Sequence, residues 1–162
     1  MKSIIIYYSY SGNTRKVALV LAEYLREKTE VEIIDLKPQD ESCSFLGQCR
    51  RAFFKQRAKI ETANVDLSDY DLICLGSPVW AFAPAPAMNT YLDQCFSLEN
   101  KEVILFTTYG SGTGNQRCLN YMQALLTRKG IRQFSRFSIP QFKADNPDFI
   151  LVKIKASTRL PP

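Results

Sequence analysis

Residues Ile4-Ile5-Ile6-Tyr7-Tyr8-Ser9-Tyr10-Ser11-Gly12-Asn13-Thr14 pass from five β-branched or aromatic side chains directly into a cluster of hydroxyls around one glycine. The first five favour a strand. Beyond them Val17, Leu21 and Leu25 recur at helical spacing, with Val20 and Tyr24 alongside, so the segment from Asn13 through Lys28 reads as a helix. Strand, tight turn and helix follow one another within about 25 residues, as in a parallel α/β unit. The turn also has chemistry of its own. Backbone N–H groups at a helix start are unpaired and partly positive, Ser and Thr hydroxyls add donors, and Gly12 allows the chain to turn closely around an anion. Ser9, Tyr10, Ser11, Gly12, Asn13 and Thr14 therefore read as a phosphate cup without a lysine, or as an ordinary N-cap turn. The long glycine loop ending in Lys-Ser or Lys-Thr, and the three spaced glycines of a dinucleotide fold, are both missing here.

The same alternation continues along the chain. Val31–Leu36 forms a second strand, ended by Pro38; Leu72–Gly76 a third, apolar on both faces; Val103–Phe106 a fourth; and Phe134–Ile139 a fifth. Helices are expected over Pro86–Phe96, Gln116–Arg128, closed by Gly130, and Pro147–Ala156. The long connection 37–69 is expected to hold a helix from Ser42 to Ala58, with Phe45, Cys49 and Phe53 inward. Its cations, Arg50, Arg51, Lys55, Arg57 and Lys59, form either a solvated face or a docking patch for an acidic partner or phosphorylated ligand. The end, Leu160-Pro161-Pro162, is expected to fray.

The 162 residues predict one domain. With 46% apolar and 23% charged residues and no apolar run near the roughly 20 residues of a membrane span, a cytoplasmic protein is expected. Five cysteines without a CxxC pair argue against a disulfide framework or a zinc site. The chain has no histidine, which removes Ser-His-Asp and Cys-His catalysis and imidazole proton shuttling. A net charge of +5 without a nucleic-acid-binding signature does not indicate nucleic acid. Chemistry then falls to a bound cofactor, or to carboxylates, Tyr and Lys.

Ligands in parallel α/β sheets bind beyond the carboxyl ends of the strands. Two further loops open on that edge. Gly76-Ser77-Pro78-Val79-Trp80-Ala81-Phe82, continuing to Pro86, holds the only tryptophan, and Trp80 with Phe82 forms either a stacking platform for a planar ring or a lid over the core. Thr107-Thr108-Tyr109-Gly110-Ser111-Gly112-Thr113-Gly114-Asn115 offers main-chain groups to a ligand edge, or is a mobile connection. A flat ring with a monophosphate tail fills all three loops.

With these residues the chain resembles the flavodoxin family, and more closely the short-chain flavodoxin-like domains of NAD(P)H-dependent oxidoreductases, over essentially its whole length. The resemblance implies a doubly wound α/β fold with a five-stranded parallel sheet in the order 2-1-3-4-5, helices on both faces and FMN as cofactor. Phosphate would lie on Ser9–Thr14, and the ring between Trp80 and the 107–114 loop, with Ser77, Pro78, Val79, Ala81, Phe82, Thr108, Tyr109, Gly110, Ser111, Gly112 and Gly114 around it. No metal and no protein acid or base is implied, because the chemistry is the flavin's. The chain departs from ordinary flavodoxins in two ways. Residues 76–92 and 107–117 contain no Asp or Glu, and Ala81 follows Trp80 where those proteins often have Gly, so the peptide flip that accompanies flavin reduction there should cost about 1 kcal/mol more. Both departures favour two-electron chemistry. The expectation is an FMN-binding redox protein working with a redox partner protein, or alternatively an FMN-dependent oxidoreductase taking hydride from NAD(P)H to a quinone or similar small acceptor, as monomer or homodimer. A flavin-free binding module of the same fold is the weakest reading.

Overall fold

The computed structural model describes residues 1–39, 45–61, 63–110 and 112–158. Its first strand, β1 (Lys2–Tyr7), is buried on both faces. Ile4 and Ile6, with Tyr8 beyond the strand, enter one apolar cluster with Leu75, Met88, Tyr91 and Leu105. Ile5 and Tyr7 enter a second with Val17, Leu21, Phe106 and Ile154. The unbroken apolar run is thus the period-two pattern of a central strand between two helix layers.

Helix α1 (Asn13–Arg26) buries Val17, Ala18, Leu21, Ala22 and Leu25 on the second cluster's side. Full burial of Leu21 or Leu25 stabilises the helix on the sheet by about 1.5–3 kcal/mol each. Then come β2 (Glu30–Asp35), α2 (Phe45–Phe53), β3 (Leu72–Trp80), the two-residue β4 (Ala83–Pro84), α3 (Pro86–Gln94), β5 (Glu102–Tyr109), α4 (Asn115–Arg128), β6 (Gln133–Pro140) and α5 (Pro147–Ser157). Helices α3 and α4 pack on the first cluster, and α5 joins α1 on the second. The sheet order is β2-β1-β3-β5-β6, all parallel, with β4 antiparallel to β3. Setting β4 aside, this is the expected 2-1-3-4-5 order. Gly130 closes α4 as expected: its N–H bonds the Thr127 carbonyl (3.1 Å) and that of buried Ile131 bonds the Leu126 carbonyl (3.3 Å).

Two expectations need correction. The third and fourth strands are longer than their apolar runs, because Ser77 and Pro78 pair in register with Thr107 and Thr108. Strand β1 stops opposite Gly76, where Tyr8 N–H bonds the Gly76 carbonyl (3.0 Å), while β3 runs on to Trp80. At about 3.3 Å per residue, β3 overhangs β1 by roughly 13 Å and makes a step in the sheet edge. The helix of the β2–β3 connection is also shorter than expected and ends at Phe53. Lys55 takes a left-handed φ of 51°, and Ala58 is held through both backbone groups by the Thr90 hydroxyl, 3.0 Å from its N and 2.7 Å from its O. Residues 57–61 then run antiparallel to 37–39 through the Pro38–Ile60 bridge. Residues 42–44, the side chains of Phe45 and Phe53, and the Leu160-Pro161-Pro162 end lie outside what the structure describes. Among the described residues no helix is long and apolar enough to cross a membrane.

Candidate functional site

The sheet-edge step opens into a cavity of about 470 Å³ lined by Tyr10, Ser11, Asn13, Thr14, Pro78, Val79, Trp80, Ala81, Thr108, Tyr109 and Gly110, together with Cys49 and Gln141. It lies beyond the carboxyl ends of β1, β3 and β5, where the chain leaves β1 toward one side of the sheet and later returns to the other. That is the switch point at which doubly wound sheets bind ligands, and the volume is in the range of small-molecule sites. All three loops singled out in the sequence therefore meet in one place.

At one end of the cavity α1 begins at Gly12 (φ 87°, ψ −11°), which has no side chain to cap it, and its first turn holds no acid. A Cβ on Gly12 would meet nothing within 4 Å, but the left-handed backbone favours glycine there. Ser9 Oγ accepts from Arg15 N–H (3.2 Å), and Asn13 Nδ2 donates to Ser11 Oγ (3.2 Å), so the loop is braced from within. Thr14, expected in the cup, is buried and its hydroxyl lies 2.8 Å from that of Thr108. A glycine-led helix start with hydroxyls around it suits an anion. Behind it Tyr7 and Asp35, paired across β1 and β2, have both their proton affinities raised by burial, with Arg15 opposing in each case.

Trp80 is 5% exposed and forms both wall and core. The rings of Tyr8 and Tyr10 meet it edge-on, each with centroids 5.6 Å away. Tyr10 thus belongs to the aromatic wall as well as to the cup. Ser77 is fully buried and off the cavity wall: its Oγ accepts from Ala85 N–H (2.9 Å) and donates to the Pro78 carbonyl (3.0 Å). With Asn89 Nδ2 donating to the Pro84 carbonyl (3.3 Å), it fixes the β3–β4 hairpin. The tip of that hairpin is Ala81-Phe82, both at positive φ (47° and 69°), between the paired residues Trp80 and Ala83. The strain anticipated for Ala81 in a flipped state is already present in this backbone. Phe82 turns away from the main cavity toward a hollow of about 100 Å³ and lies over Gly114, where a Cβ would come 2.4 Å from its ring. Gly114 opens α4 with φ 85° and ψ −12°, nearly the geometry of Gly12. Gly112 and Gly114 are off the main cavity wall, and Ser111 lies outside the described residues.

Cys49 and Gln141 were missed by sequence reasoning. Gln141 follows directly on β6, so the strand-end rule could have found it, whereas nothing local marks Cys49 on α2. Burial pushes the Cys49 thiol up, away from thiolate character. Among the described residues no cluster of three or more His, Cys, Asp or Glu could hold a metal ion.

Sheet order and cavity position define a flavodoxin-like α/β protein with a candidate ligand site at the sheet edge. A family model of NADPH-dependent FMN reductases matches residues 1–143, and the chain belongs to that family. Membership bears out FMN as the cofactor expected from the sequence. Among solved structures, the chain is similar to a protein of Bacteroides uniformis ATCC 8492 (19% identity, TM-score 0.71, covering 95% of this chain and 97% of that one). It is also similar to a flavoprotein of Lactobacillus acidophilus NCFM in complex with FMN (23%, 0.60, 91% and 98%) and to oxidised flavodoxin 1 of Bacillus cereus (20%, 0.62, 98% and 100%). At these identities the likeness is one of fold.

Proposed function

We propose that residues 1–162 act as one cytoplasmic unit that holds FMN in the sheet-edge cavity and works as an NADPH-dependent oxidoreductase passing electrons to a quinone or similar small acceptor. The observation that carries the proposal is the cavity itself, with a glycine-led helix start ringed by hydroxyls at one end and an aromatic wall on the β3 overhang. The residues fit the group in kind. Main-chain N–H groups of Gly12–Thr14 and the Ser11 and Asn13 side chains hold the phosphate; the Trp80–Tyr10 wall and the Thr108–Gly110 backbone hold the ring; Ser77 keeps the hairpin in place. When bound, FMN supplies the redox chemistry. The chain orients it, excludes water on the Trp80 side, and surrounds it with uncharged groups, since no carboxylate lines the cavity among the described residues. A wall without carboxylates would not oppose negative charge on a bound cofactor, which favours two-electron turnover over one-electron carriage.

FMN titration tests the cofactor site: quenching of FMN fluorescence and a higher melting temperature are expected, and protein that gives neither removes the proposal. Stepwise dithionite reduction then separates enzyme from carrier. Direct yellow-to-colourless bleaching, with steady NADPH oxidation when a quinone is present, is expected. A blue or red species accumulating to most of the protein would instead assign it as a flavodoxin-type carrier that docks to a reductase.

A further inference from the structure

We infer that the face around the cavity mouth is a docking surface for an acidic protein. The segments framing the mouth, residues 8–16, 45–55, 77–86, 107–117 and 140–146, carry Arg15, Arg50, Arg51, Lys55, Arg117 and Lys143. Their only carboxylate is Asp145, and Lys16 already lies 2.6 Å from it. Asp40 and Glu41 lie outside the described residues. Outside these segments the chain is nearly balanced, with 14 Lys and Arg against 15 Asp and Glu. A net +5 is thus distributed with its positive side toward the cavity, and such a field steers an anionic partner to that face.

Large apolar side chains stand in water on the same face. Leu46, 78% exposed, lies one helical turn from Arg50 and beside cavity-lining Cys49 on α2. Phe142, 75% exposed, follows cavity-lining Gln141, and Phe82, 45% exposed, is at the hairpin tip. Apolar anchors within a charged rim are the anatomy of a protein interface. A second copy would press two cationic faces together, and a nucleic acid strand would meet cations separated by Leu46, Phe82 and Phe142. An acidic protein satisfies both the charge and the apolar anchors. The inference rests on the proposed function only in taking the mouth as the redox-active edge.

The test is calorimetric titration of the FMN-loaded protein with an acidic plant-type [2Fe–2S] ferredoxin at about 20 mM and about 200 mM NaCl, between which the screening length falls from roughly 20 Å to roughly 7 Å. Binding that weakens tenfold or more at the higher salt is expected. The double variant Arg50→Glu/Lys143→Glu should lower affinity tenfold or more and Leu46→Ser threefold or more, with FMN affinity retained in both as proof of folding. Arg132→Glu, exposed near the opposite edge, should change nothing. Absence of binding at low salt, or binding indifferent to the double variant, overturns the inference, as does tighter binding of a single-stranded RNA 20-mer or self-association through this face. The titration is repeated on protein without FMN: docking without any FMN binding would remove the proposed function and leave the docking surface standing.

Discussion

Thr14 and Thr108, 94 residues apart in the chain, place their buried hydroxyls 2.8 Å from each other. This contact ties the first turn of α1 to the end of β5, so the cup and ring loops share one hydrogen bond. Thr108→Val or Thr14→Val leaves a buried hydroxyl without its partner, at a cost of about 1–3 kcal/mol. Each single variant should melt several degrees lower, and the double variant should recover part of the loss. Thermal unfolding of all four proteins measures it; single variants as stable as the parent would show the bond to contribute nothing.

Ala81 and Phe82 hold left-handed backbone without being glycines. Ala81→Gly relieves a strain of about 1–2 kcal/mol, partly offset by the greater freedom of glycine in the unfolded chain. A net gain of about 0.5–1 kcal/mol in urea unfolding is expected, and a loss of stability would contradict the turn geometry.

Gly12 and Gly76 should respond differently to alanine. At Gly76 the added Cβ would come within 2.1–2.8 Å of Phe106 ring carbons, so Gly76→Ala overpacks the core by about 1–3 kcal/mol or more while FMN affinity of the folded fraction holds. At Gly12 there is space but a left-handed backbone, so Gly12→Ala should cost about 1 kcal/mol of stability and weaken FMN binding tenfold or more. Paired unfolding and binding measurements check the contrast; equal effects on FMN at both positions would reject it.

Tyr70, 3% exposed, donates a 2.5 Å hydrogen bond to Glu32, and burial with that bond pushes its phenol up to about 12. The folded phenol titrates above the unfolded one, so its contribution is present below about pH 10 and fades as pH rises toward 12. Tyr70→Phe should cost about 1 kcal/mol at pH 8 and progressively less by pH 11. Stability curves of the two proteins that stay parallel over that range would rule out the linkage.

The fold was legible where burial follows local periodicity: the Ile4–Tyr8 run, the Val17-Leu21-Leu25 stripe and the Gly130 stop each depend on near neighbours. Residues 77–80 and 107–109 looked like loops because proline and glycine punctuate them locally, whereas Ser77 and Pro78 pair with Thr107 and Thr108 across 30 residues, Val79 and Trp80 pair with β4, and Tyr109 pairs with Pro140 of β6. The shortened α2 is likewise a tertiary effect, set by Thr90 on Ala58. In the site, the cup was readable from one contiguous motif. Cys49 was not, since only the docking of α2 brings it to the cavity, and neither was the second role of Tyr10, since only the fold brings its ring to Trp80.

The cavity draws its walls from Tyr10 at one end of the chain to Gln141 near the other, and β6 must pair along its whole length with β5 before Gln141 arrives. Contacts of such sequence separation carry a loop-closure cost and are slow to form. The cavity is therefore complete only in the state where β6 is paired. Ligand then stabilises the finished protein alone, by about 2.7 kcal/mol at a hundredfold excess over Kd. In a cell its supply would act as a checkpoint on folding, prolonging the lifetime of completed molecules over unfinished ones.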